Sequence, residues 1–170
     1  MKFKKFVKSL ASSGIIYKRG FDRWLASPSA FMLIPCTVQS VTAAAIQDMP
    51  EPIDRMISQV GCTEYAKLTK AIMPYPDGKI KDCVRVFSTE SKDISIAISN
   101  DDWSLIEKSD FCEILYAYDI DSGNAEAKAL LVKQYPQMPD DDDLLVGVIF
   151  PCEYAEQLNF YTMKEENNNG

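Results

Sequence analysis

An α+β fold is what the sequence predicts: a single domain with a mainly antiparallel sheet of meander and hairpins, packed by an N-terminal helix and two or three short helices. Three observations carry this. Phe3, Phe6, Val7 and Leu10 recur at the spacing of one helical face. The run Arg23–Pro35 (RWLASPSAFMLIP) is continuously apolar, apart from a Ser27-Pro28-Ser29 bend. Ile94, Ile96 and Ile98 alternate with polar or small residues at strict period two, the signature of a half-buried strand.

Taken in order, the first helix is expected over residues 2–12, stopped by Ser12, Ser13 and Gly14. Gly14–Lys18 is β-branched and aromatic, and Arg19–Asp22 leads from it into Arg23–Ser27 as a hairpin. Pro28 forces the residue before it into an extended state, so the chain bends there into a third strand, Ala30–Ile34. This meander is the seed of the core. Cys36–Val41 reads as a further short strand, and Val41–Ile46 has no clear period.

Met49-Pro50-Glu51-Pro52 is a turn that opens a short helix carrying Ile53, Met56, Ile57 and Val60. Tyr65, Leu68 and Ile72 at helical spacing predict a second helix over 63–72, ended by the turn-forming cluster at 74–78. That cluster is the best internal boundary within one domain of residues 1–163. Hairpin strands follow at 83–87 and 94–98, with Asp93, Ser95, Ala97 and Ser99 expected on the open face. Asn100-Asp101-Asp102 offers a helix cap before Trp103. Phe111–Tyr118 is a strand, Asp121–Asn124 a turn, and 125–135 is read as the returning strand, although its Ala, Glu and Lys also suit a helix. A last apolar strand, LLVGVIF, precedes a short helix at Glu153–Phe160 and a disordered tail at 164–170.

Composition narrows the function classes. With 46% hydrophobic and 25% charged residues the chain is globular in type, and no apolar run is long enough to span a bilayer. The opening MKFKKFVKSL starts like a signal peptide, but Lys8, Ser9, Ser12 and Ser13 cut its apolar stretch, so a cytoplasmic protein is expected. Five cysteines stand 21 to 40 residues apart, without a CxxC pair and without any histidine to complete a zinc set, and read as free thiols. The absence of histidine also removes the usual base of a cysteine hydrolase. Neither GxGxxG nor a P-loop is present. A non-enzyme without a cofactor is the expectation.

The net charge of −7 is unevenly spread. Residues 1–23 hold seven basic groups against Asp22 alone, a balance of +6, which leaves −13 for the remainder. An acidic body does not embrace phosphates, so direct nucleic-acid contact is expected only through the basic first helix. The partner expected is the basic surface of a nucleic-acid-binding protein, with homo-oligomer formation left open.

The candidate contacts are acidic: Asp140, Asp141, Asp142 and Asp143, with Asp101, Asp102, Asp119 and Asp121. Adjacent carboxylates suit hard cations, but the run lacks the alternation, glycine and distal glutamate of a calcium loop, so no metal site is assigned. Tyr75, between Pro74 and Pro76, is the candidate aromatic anchor.

Two resemblances bear on these expectations. The first helix with GIIYKRGFDRWLASPSAFMLIP, and the closing DDDDLLVGVIFP, resemble the opening and final strand of a bacterial-type sliding-clamp domain. This implies a clamp-like accessory or virion structural role acting through self-assembly. As a short, acidic, histidine-free chain, the protein is also similar in type to phage-encoded inhibitors of the anti-CRISPR and DNA-mimic class. That likeness implies occlusion or mimicry of a host protein's nucleic-acid site, in the cytoplasm of a bacterial host.

Overall fold

The computed structural model describes residues 1–10, 13–58, 61–74, 83–91, 93–118, 120–136, 138 and 141–152. Its dominant feature among these is one ten-stranded sheet with three short helices. The strands are β1 (Ile15–Arg19), β2 (Asp22–Ala26), β3 (Ala30–Leu33), β4 (Ala45–Asp48), β5 (Cys62–Pro74), β6 (Cys83–Thr89), β7 (Ser95–Ser99), β8 (Phe111–Tyr118), β9 (Ala125–Gln134) and β10 (Leu144–Ile149). Their order across the sheet is β4-β1-β2-β3-β10-β9-β8-β5-β6-β7. Every neighbouring pair is antiparallel except β1 with β4. The helices are α1 (Phe3–Leu10), α2 (Glu51–Ile57) and α3 (Asn100–Trp103), none of them long and apolar enough to cross a membrane.

Local chemistry accounts for the tight turns. Gly20, at φ 58°, takes the left-handed conformation at the β1–β2 tip that a side chain would resist. Between β2 and β3 the Ser27 hydroxyl accepts from the Ala30 N–H at 2.9 Å and stabilises the proline bend. Ser99 caps α3 by accepting from the Asp102 N–H at 3.0 Å, one position before the Asn100-Asp101-Asp102 cap expected from sequence.

The core lies on both faces of the sheet. On one face Phe6 of α1, Leu25, Met32, Ile96, Ile98, Ile114, Leu130 and Val132 are buried in one cluster, with Phe3, Val7 and Leu10 against it. Residues of β7 thus share a core with residues of β3, six strands away in the sheet order. The sheet must therefore coil upon itself, in the sense of ordinary strand twist. Two bonds secure the closure: Cys152 N–H donates to Ala97 O at 2.8 Å, and Ser29 Oγ donates to Asp102 Oδ1 at 3.1 Å. On the opposite face Trp24, Phe31, Leu115, Leu131 and Val148 are covered by Ile53, Met56 and Ile57 of α2.

Four sequence expectations are corrected. Residues 63–72 lie within strand β5, not a helix: β5 is bonded to β8 on one side and β6 on the other, Ala66 is buried, and Tyr65 and Lys67 stand on the opposite, exposed side. Period two governs there, and pairing to two neighbours overrides the weak helical spacing. Cys36–Val41 forms no strand; Val38 and Val41 instead pack on the core from an irregular loop. Ala97 is buried with Val84, Val86 and Cys152, not exposed on an open face, because the chain after β10 covers it. The fourth is Asp102, treated below. The expected helix at Glu153–Phe160 and the tail at 164–170 lie outside the described residues.

Candidate interaction surface

The surface with most unspent chemistry is built where β9 passes into β10. Along β9, Leu131 and Lys133 point to one face, and Tyr135 continues that parity beyond the strand end. Register places Phe111 of β8 opposite Lys133, Glu113 opposite Leu131, and Tyr65 of β5 opposite Glu113. One sheet face therefore presents Tyr65, Glu113, Phe111, Lys133 and Tyr135 together.

The three rings form a row. Tyr65 and Phe111 have centroids 6.4 Å apart, and Phe111 stacks on Tyr135 at 4.5 Å with 28° between the planes. Phe111 is 9% exposed, whereas Tyr65 and Tyr135 at the two ends are 42% and 67% exposed. Lys133 Nζ donates to Glu113 Oε2 at 2.7 Å beside this row, both side chains being largely shielded. Lys67 stands 5.4 Å from the centre of the Tyr65 ring and donates to Glu90 at 2.9 Å. That bond raises the Lys67 pKa and lowers that of Glu90, so both stay ionised around neutrality.

The acidic run adjoins the Tyr135 end. Leu144 pairs with Gln134, which puts Asp143 and Tyr135 each one residue beyond the last strand pair. Asp141 N–H donates to Met138 O at 3.2 Å, turning the chain back towards β10. Asp141, Asp142 and Asp143 are all exposed, as are Met138 and Leu144. On the other face at this end, Met1, Phe3, Met32, Pro35, Leu144 and Val146 line an apolar cavity of about 130 Å³.

The other sequence-predicted residues do not join this patch. Asp121 is exposed in the β8–β9 turn, at the far end of β9, about 30 Å away for a ten-residue strand. Asp101 is exposed on α3. Asp102 is no surface contact: it is buried, and its two oxygens accept from Ser99 Oγ at 2.6 Å and Ser29 Oγ at 3.1 Å. Burial raises its pKa above the usual carboxylate value, against the lowering effect of the two hydroxyls. Asp119, Asp140 and Tyr75 lie outside the described residues.

The basic helix is partly spent on the fold. Lys2 Nζ donates to Ser104 O at 2.9 Å and Lys5 Nζ to Ser104 Oγ at 2.6 Å, while Lys4 and Lys8 are exposed. Among the cysteines, Cys83 and Cys112 are buried, and burial pushes the Cys112 thiol up to about 12, far from a nucleophilic thiolate. Among the described residues, no cluster of Cys, Asp or Glu has the geometry to hold a metal ion.

Sequence reasoning missed Tyr65, Phe111 and Tyr135, which come from three separate strands. A signal existed for Tyr135 in the period-two continuation of Leu131 and Lys133. Neither a protein-family model, nor a curated protein, nor a solved structure matches this chain.

Proposed function

We propose that the chain is a non-enzymatic acidic binding protein, phage-encoded, that inhibits a nucleic-acid-processing host protein in the anti-CRISPR manner. The observation that carries this reading is the joint exposure of Asp141, Asp142 and Asp143 beside Tyr135, Met138 and Leu144. Carboxylates steer a basic surface towards the patch, and exposed apolar groups supply the contact area that holds it. Occlusion fits this arrangement better than mimicry of a phosphate array. Asp121 lies at the opposite end of β9 and Asp102 is buried, so the carboxylates do not line up along one path.

The test has two parts. A pull-down from nuclease-treated bacterial lysate identifies the partner. Its affinity should then fall as salt rises, and fall further for the triple variant D141N/D142N/D143N. Affinity unchanged by both would overturn the reading.

A second reading, a clamp-like accessory or virion structural protein acting through self-assembly, is favoured by the β4 margin of the sheet. There β4 is an edge strand with Ile46 62% exposed, and Phe21 projects fully exposed from the nearby β1–β2 tip. This reading expects an oligomer that grows with concentration in light scattering and is weakened by Ile46→Lys. A monomer at all concentrations counts against it.

A further inference from the structure

We propose that the aromatic row ending at Tyr135 selects arginine over lysine on the partner; this rests on the basic-partner reading above. Phe111 has a ring on each side, and its neighbours tilt against it by only 32° and 28°. Phe111 is 9% exposed and stacked on Tyr135, so the row offers no inner face on which a nucleobase could lie flat. Its open end is Tyr135, two-thirds exposed, and the last ladder pair, Leu144 with Gln134, puts Tyr135 and Asp143 each one residue beyond it.

A planar guanidinium matches that end in two ways. It stacks on a tyrosine face, and its forked N–H groups reach a carboxylate at the same time. An ammonium offers only a hydrated point charge and gains little from stacking. Other occupants fit less well. A second copy related by symmetry would bring two sets of Asp141–Asp143 together, and like charges repel. Single-stranded nucleic acid would bring phosphates to the same carboxylates.

The test uses the full chain and fluorescence anisotropy with labelled nona-arginine, nona-lysine and oligothymidylate, at about 50 and about 150 mM salt. Nona-arginine should bind about threefold to fivefold more tightly than nona-lysine. Tyr135→Ala should erase this difference while leaving nona-lysine affinity unchanged. Tyr118→Ala, at the other end of the β8–β9 hairpin and 60% exposed, should leave the preference intact. Equal, salt-dependent binding of the two peptides, or a preference that survives Tyr135→Ala, overturns the arginine assignment alone. Binding of neither peptide overturns the basic-partner reading beneath it. Oligothymidylate binding that is lost in Tyr135→Ala replaces both with a nucleic-acid platform.

Discussion

Ser29, on the turn between β2 and β3, donates a hydrogen bond to Asp102, on α3, across 73 residues of sequence. The contact fastens the end of β7 to the first meander and thereby helps to fix the coil of the sheet. Because Asp102 is buried, its removal leaves the Ser29 and Ser99 hydroxyls without their acceptor. Asp102→Ala should cost about 1–3 kcal/mol in urea unfolding at neutral pH.

The same residue gives a pH dependence of definite sign. Its folded pKa is raised by burial, so the folded chain binds the proton more tightly than the unfolded chain. Its stabilising contribution is therefore complete below the unfolded carboxylate pKa and is lost as pH rises through the folded value. Asp102→Asn removes this titration and keeps an acceptor. The stability of the Asn variant relative to the parent should rise as pH increases from the usual carboxylate range towards neutrality. Parallel stability curves would contradict the assignment.

The Lys133–Glu113 pair behaves as a shielded charge pair, with side chains 8% and 18% exposed. Truncating one partner leaves the other charge poorly solvated, so Lys133→Ala should cost about 2–3 kcal/mol, below the figure for fully buried pairs. The double variant Lys133→Met, Glu113→Leu should recover most of that loss. A double variant as unstable as the sum of both single changes would show that the two side chains act independently.

Trp24 and Leu25 are both nearly fully buried, yet they should respond differently. The Trp24 indole N–H has no hydrogen-bond partner among the described residues. Its desolvation is an uncompensated cost, so Trp24→Phe offsets lost packing by removing that donor and should cost less than about 1.5 kcal/mol. Leu25→Ala has no such compensation and should cost about 2–5 kcal/mol. Thermal or denaturant unfolding of the two variants measures the contrast directly.

What the sequence discloses follows from how local each signal is. The run through Trp24, Leu25, Phe31 and Met32 is buried on both sides of its bend, and the Ile94–Ile98 alternation marks a true strand; both patterns lie within a dozen residues. Residues 63–72 misled because Tyr65 and Leu68 imitate a helical stripe, while the strand state is imposed by β6 and β8, which come later in the chain. Asp102 differs from Asp101 in two contacts: the Ser99 side chain three residues before it, which the local Ser-x-x-Asp spacing signals, and Ser29, 73 residues earlier, which no local pattern signals. The aromatic row is non-local in the same way, being drawn from residues 65, 111 and 135.

The two margins of the sheet are unequal, since β7 receives the Cys152 N–H while β4 carries no ladder partner on its outer side among the described residues. Two copies that met backbone to backbone through β4 would each present the same margin. Such a pairing would be two-fold and would stop at two. An assembly larger than two would then need a second contact elsewhere on the molecule.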